Sequence, residues 1–380
     1  MNIDPFWLND KEIVKIAEIV KKGNLAAGEN VQEFEQEFCE YIGTKYAIAV
    51  NSGTAALHLA LLASGISAGD KVITSPLSFI STANTALSIG AAPIFSDVNP
   101  SSGNIDPFKV KQIISKDVKA IIGIHLYGFP FEVNDIREIA EKNDIVLIED
   151  AAQAIGAEYR GRKVGQLGEI GCFSFFATKN LAIGEGGMIT TNNEEIASKC
   201  RVLRSHGSVS KNIHTYLGYN YRMNELSAAI GRLQLNKIEK INSARIKNAK
   251  ILNDVLADNP NLNLPPQSLD NKHVFYRYAV RLIEKISDKR SIISDTLFKS
   301  GWNVTKGYSL PIYSQPLYKQ LHDRHWLHNL VNWPNYEKMF CKNCELLIDT
   351  LLELPVDPQL SEESIRKMGE SLIKVIHKVS

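Results

Sequence analysis

From Lys45 to Thr191, short apolar runs alternate with segments of helical periodicity. KYAIAV (45–50), KVITS (71–75), APIFSDV (92–98), VKAIIGIH (118–125), DIVLIED (144–150), CFSFF (172–176) and GMITT (187–191) read as strands. TAALHLALLAS, TANTALSIG and VNDIREIAEKN, between them, read as helices. Near-continuous apolar strands spaced by helices predict an α/β architecture: a mostly parallel sheet covered on both faces. No helical pattern separates the last two strands, so part of the sheet is expected to be antiparallel.

After Tyr221 the pattern changes. Residues 223–257 read as one long amphipathic helix, NPNLNLPPQ (259–267) as a breaker-rich linker, and VFYRYAVRL (274–282) as a strand followed by more helices. The chain is 380 residues long, more than one core usually supports. Two units are therefore expected: a large α/β unit over 15–240 and a smaller α+β unit over 241–380, with residues 1–14 and the first helix packing near the smaller one.

Composition removes several function classes. A net charge of +1 gives no sign of a nucleic-acid or membrane partner. Five cysteines, Cys39, Cys172, Cys200, Cys341 and Cys344, are too few and too odd in number for a disulfide framework. The start, MNIDPFWLNDKEIVK, lacks the layout of a signal peptide, and no apolar run is long enough to span a bilayer. A cytoplasmic protein is expected.

Candidate chemistry gathers at strand ends. Lys179, in FSFFATKNLAIGEGGMITT, follows an apolar strand and precedes the turn-forming GEGG, a context that aims an amine into a cleft where desolvation makes it nucleophilic. Asp150, in VLIEDAAQAIGA, either caps the following helix or pairs with a protonated pyridine nitrogen, and Gln153 lies one turn on. In NSGTAALHLAL, Ser52, Gly53 and Thr54 sit between a strand and a helix whose start suits a phosphate, and Ser174 offers a further hydroxyl. Phe79 is either core or a stacking partner for a flat ring. Asn220 is a turn residue before a long helix, and His125 and Tyr127 of HLYGFP line a pocket or form a packed turn. CKNC (341–344) has the spacing of a metal pair, but no second pair accompanies it and His322, His325 and His328 are loosely spaced, so no metal is expected.

Taken in order, GNLAAGENVQEFEQEF (23–38), NSGTAALHLAL, HLYGFP (125–130), IEDAAQAIGA, FSFFATKN…GEGG, GYNYRMNE and ELPVDPQLSEE (353–363) resemble the DegT-like (DegT/DnrJ/EryC/StrS) family of sugar aminotransferases. The resemblance implies the fold-type I architecture of enzymes using pyridoxal 5'-phosphate (PLP), with pyridoxamine phosphate (PMP) as the amine-carrying form. By position, Lys179 matches the lysine that holds PLP and shuttles the proton, and Asp150 matches the partner of the pyridine nitrogen. Gln153 matches the residue near the ring oxygen, and Phe79 the aromatic stacked on the ring. Thr54, Ala55 and Ser174 match phosphate contacts, and Asn220 matches one that crosses from the neighbouring subunit of a homodimer. L-Glutamate is implied as donor and a nucleotide-linked keto-sugar as acceptor. TKGYSLPIYSQPLY (305–318) departs from the family, with Tyr313 where a histidine is common, and HDRHWLHNLVNWPNYEKMF (322–340) is unusually bulky. These segments fall where similar enzymes meet the acceptor, so Tyr308 and Tyr313 are candidate substrate contacts and a keto-cyclitol is an alternative acceptor. A non-catalytic regulator on the same fold would be expected to lose Lys179 or Asp150.

Overall fold

The computed structural model describes residues 8–321 and 333–379. Parallel pairing builds most of the central sheet: β2 (Lys71–Thr74), β3 (Ala92–Phe95), β4 (Val118–Ile124) and β5 (Val146–Asp150) make up one side, and β1 (Tyr46–Val50) lies at the opposite edge. A short hairpin, β6 (Glu158–Tyr159) and β7 (Arg162–Lys163), precedes β8 (Ile170–Ser174) and β9 (Gly187–Thr191). The order is β1-β9-β8-β5-β4-β2-β3; β8 joins the parallel set, and β9 runs antiparallel to both its neighbours. This is the mixed α/β sheet of the fold-type I class.

Two boundaries differ from the pattern. The apolar run CFSFF leaves the sheet at Ser174 because Phe175 N donates to Gly186 O and Ile183 N donates to Phe175 O, closing a loop. Phe175 stays apolar because it packs on Phe34 and Phe38, not because it is in a strand. The long helix over 223–257 is in fact two.

Around the sheet lie α1 (Asp10–Lys22), α2 (Glu29–Ile42), α3 (Gly53–Ala63), α4 (Ser81–Ser88), α5 (Pro107–Ile113), α6 (Val133–Lys142) and α7 (Glu194–Arg204), followed by α8 (Glu225–Leu235) and α9 (Ile238–Leu256). The chain turns at Asn236–Lys237, where Lys237 N donates to Gln234 O. The break lets α8 pack on α1 and α2 while α9 packs on the C-terminal helix Glu362–Val379. Ile238 belongs to the core of the large unit and Leu252 and Leu256 to that of the small one, so the expected boundary at 240/241 falls inside a helix that joins the two cores.

The N-terminal expectation is corrected. Helix α1 lies against α8 rather than the small unit, and its buried Glu12 accepts hydrogen bonds from Gln234 and Lys237. Residues 1–7 are outside the described part.

Helix α3 is apolar all round, with Ala55 to Leu61 buried between α4, α7 and the sheet. Strand register places Val50 and Ser174 on either side of Gly187, so the start of α3, Ser174 and Asp150 share the carboxyl edge of the parallel strands. That edge is where such sheets hold ligands. Strands β10 (Ser208–Ser210) and β11 (Ile213–His214) pair with each other, and the small unit contributes an antiparallel sheet of β12 (Leu262–Asn263), β14 (Tyr278–Leu282) and β15 (Leu351–Leu354), with β13 (Asn271–Lys272) pairing back to β6. Strand β14 starts later than its apolar run because Phe275 adopts φ 46°, which turns Tyr276 and Arg277 out of the strand. Among the described residues, no helix is long and apolar enough to cross a membrane.

Candidate active site

Asp150 ends β5 with its side chain buried. Thr82 Oγ1 donates to its Oδ2 at 2.8 Å and Ala152 N to its Oδ1 at 3.2 Å. Burial pushes the Asp150 carboxyl above its usual pKa, while these hydrogen bonds and the charges of Lys179 and His125 pull the other way. A buried carboxylate held there gains from a cationic N–H beside it.

Gln153 is held at both ends of its amide. Its Oε1 accepts Tyr127 N at 2.7 Å and its Nε2 donates to Tyr308 Oη at 3.1 Å. Tyr127 adopts φ 56°, a left-handed conformation that costs a bulky residue about 1–3 kcal/mol and concentrates at functional sites. Tyr276 N donates to Tyr127 O at 2.9 Å, linking this corner to the turn before β14.

The start of α3 forms an anion cradle. Ser52 Oγ accepts from Ala55 N at 3.1 Å, so the expected Ala55 contact is already engaged in the cap. Among the described residues, the N–H groups of Gly53 and Thr54 have no acceptor. A Cβ at Gly53 would lie 2.8 Å from Ser174 Cβ, so only glycine allows this helix end so near β8 and its serine. Gly187 is needed for the same reason, as a Cβ there would lie 2.4 Å from Ser52 O.

Lys179 stands half-buried on the loop after β8, between two anchored neighbours. Thr178 Oγ1 and Tyr276 Oη share a hydrogen bond of 2.9 Å, and Asn180 Nδ2 donates to Asn242 Oδ1 at 2.9 Å and to Val274 O at 3.2 Å. Lys179 Nζ lies 4.4 Å from the centre of the Tyr276 ring. Burial favours the neutral Tyr276 phenol, but Lys179, Arg277 and Thr178 outweigh it and bring its pKa below the ordinary value. Tyr276 was hidden within VFYRYAVRL; its signal is an aromatic among cations, legible only once the turn is known.

Phe79 is 61% exposed, an open aromatic face beside the Thr82 helix. Asn220 is exposed on the rim. Two expected pocket contacts prove to be core groups. His125 is fully buried, stacked on Phe131, with Nε2 3.0 Å from Glu149 Oε2. Tyr313 packs on Phe95, donates to Glu345 Oε1 at 2.7 Å and accepts Cys341 N at 3.0 Å. Cys341 and Cys344 are buried thiols, the first pushed up to about 12 by burial. His322, His325 and His328 lie outside the described residues.

These features fit PLP: free N–H groups and a serine for a phosphate, a buried carboxylate suited to a protonated ring nitrogen, and a lysine with no ion-pair partner among the described residues. Comparison with known proteins agrees. Residues 8–373 match the DegT/DnrJ/EryC1/StrS aminotransferase family. A GDP-perosamine synthase of Caulobacter vibrioides is 40% identical over 78% of this chain and 78% of that protein. A Geobacillus stearothermophilus protein named pleiotropic regulatory protein is 36% identical over 95% of this chain and 93% of its own. The crystal structure of NtdA from Bacillus subtilis with bound PMP aligns with a TM-score of 0.87 and 30% identity, over 99% of this chain and 84% of that one. The chain belongs to the DegT/DnrJ/EryC1/StrS aminotransferase family and is a fold-type I, PLP-dependent transaminase.

Proposed function

We propose that the chain transfers an amino group from L-glutamate to a nucleotide-linked keto-sugar, with Lys179 as the cofactor lysine. The observation that carries the reading is the joint placement of Lys179, buried Asp150 and the open start of α3 on one sheet edge. The Caulobacter vibrioides relative, a GDP-perosamine synthase by name, supports a nucleotide-linked sugar as acceptor. A keto-cyclitol remains the second acceptor class, motivated by the departures at 305–318. The pleiotropic regulatory protein revives the regulator reading, but this chain keeps both the lysine and the carboxylate that a regulator has no need of.

Bound PLP supplies an electron sink and carries the amino group between substrates. Gly53 and Thr54 N–H, with the Ser174 hydroxyl, hold its phosphate, and Phe79 covers a ring face. Asp150 holds the proton on the ring nitrogen, and Gln153, fixed by Tyr127 and Tyr308, faces the ring oxygen. Lys179 Nζ would take a proton from the donor's α-carbon in the first half-reaction and would deliver a proton to the sugar carbon in the second. The donor's α-carbon takes its new oxygen from one water and leaves as the 2-oxo acid, and the acceptor's carbonyl oxygen leaves as another water, so the two halves balance. Asn220 contributes to the partner's phosphate site in a homodimer, and the protein works in the cytoplasm.

An absorbance spectrum of the PLP-loaded protein tests this. Glutamate should abolish the lysine-bound cofactor band, and one member of a panel of nucleotide keto-sugars should restore it. Restoration by a keto-cyclitol alone would replace the acceptor. A protein with no such band, or a Lys179→Ala variant that retains it, would overturn the assignment.

A further inference from the structure

Two cations share one aromatic ring. Lys179 Nζ lies 4.4 Å and the Arg277 guanidinium carbon 4.8 Å from the centre of the Tyr276 ring. The same turn touches a third cation, Arg245, whose Nη1 reaches the carbonyls of Phe275 at 3.5 Å and Tyr276 at 3.4 Å. Arg245 is buried and already neutralised: its Nη2 donates to Asp357 Oδ1 at 2.7 Å. Glu353 lies near enough to act on Tyr276 and Tyr308, and Asp150 on Lys179, but among the described residues no carboxylate is within ion-pair distance of Arg277 or Lys179. Arg277 likewise donates no hydrogen bond to any described residue.

A half-buried guanidinium with an unfilled N–H edge, next to a second cation and repelled by a third, is an incomplete charge arrangement. The guanidinium carbon sits over the Tyr276 ring and its N–H fork has no acceptor among the described residues, and such a fork matches a carboxylate or phosphate in bidentate fashion. We propose that Arg277, oriented by the Tyr276 ring, is the anion subsite that holds the α-carboxylate of the amino donor. The proposal rests on Lys179 being the cofactor lysine and gives the donor a recognition residue of its own.

Two ligands here carry suitable anions, the donor's carboxylate and the diphosphate of a nucleotide-linked acceptor. Position favours the carboxylate. In an amino acid it is bonded directly to the carbon bearing the amine, so an amine brought to Lys179 carries its carboxylate alongside. In a keto-sugar nucleotide the sugar ring separates the reacting carbonyl from the diphosphate. A guanidinium sharing an aromatic ring with Lys179 is thus placed for the first and set too close for the second.

The test is calorimetric titration of the PLP-loaded protein with glutarate, a dicarboxylate without an amine, and separately with UDP and GDP. Arg277→Met should weaken glutarate binding by about 10–100-fold, the loss expected for one charged hydrogen-bonding partner. Arg277→Lys should recover part of it, and nucleotide binding should stay as in the parent. The glutamate concentration that half-converts the cofactor band should rise by the same factor, with the limiting rate changed little. Glutarate binding that is absent in the parent or unaltered in Arg277→Met overturns the proposal. A loss confined to UDP or GDP also overturns it, by assigning the anion to the acceptor's diphosphate. Absence of a cofactor band in the parent would sink the Lys179 assignment instead, while the glutarate titration still judges Arg277.

Discussion

Thr82 Oγ1 donates to Asp150 Oδ2 at 2.8 Å, tying the first turn of α4 to the last residue of β5. The bond keeps a buried carboxylate aimed at the edge where the α3 cradle opens. It does not cancel the cost of burying that charge, since Asp150 still sits above its usual pKa.

The sign of that shift makes a prediction. An acid whose folded pKa is raised disfavours the folded state at pH above that pKa, and the penalty fades as both states become protonated at low pH. Asp150→Asn should therefore leave the cofactor-free protein as stable as the parent or raise Tm by about 1–3 °C at neutral pH. The same change should cut transamination by about 100-fold or more, because the ring nitrogen loses its proton-holding partner. A thermal melt and a single-turnover assay check both halves. A clear loss of Tm with normal turnover would reverse the account.

Glu149, the neighbouring residue, behaves oppositely. Burial alone would raise its pKa, but His125 and the N–H groups of Gly165 and Gly168 bring it below the usual value, with Leu167 N donating at 2.7 Å as well. The stability it contributes is complete above the ordinary value of about 4.5 and is lost as pH falls through the lower folded value. Glu149→Ala should cost about 3–5 kcal/mol at neutral pH, since it strands several buried donors. Glu149→Gln should flatten the acid limb of stability. Urea midpoints measured between about pH 3 and 7 decide it; an unchanged acid slope would remove Glu149 from this role.

Gly53→Ala tests the cradle. Its Cβ would meet Ser174 Cβ at 2.8 Å, so the start of α3 must shift away from β8. A stability loss of about 1–3 kcal/mol is expected, together with weaker PLP retention during dialysis. Full retention with parent stability would show that the approach of α3 to β8 is not constrained.

The homodimer proposal has its own check. Mixed dimers of Asn220→Ala and Lys179→Ala subunits should recover about half of the native sites, because pairing leaves one site with both residues. No recovery in verified mixed dimers would place both residues in one subunit's site.

Much of this protein is legible in its sequence. Sheet strands and buried helices such as α3 announce themselves because burial imposes a local period on side chains. Lys179, Asp150 and the start of α3 could be marked for a related reason: Asp150 ends a strand, the other two follow strands within a few residues, and a strand's end is a local property. What required the tertiary structure were relations between distant segments. Thr178 and Tyr276, 98 residues apart, meet only because Phe275 turns the chain ahead of β14. His125 and Tyr313 looked like pocket residues, yet Glu149 and Glu345 hold them in the core. Periodicity records whether a side chain is buried; only the packing of remote elements decides which partner buries it, and so whether a polar group serves the core or the site.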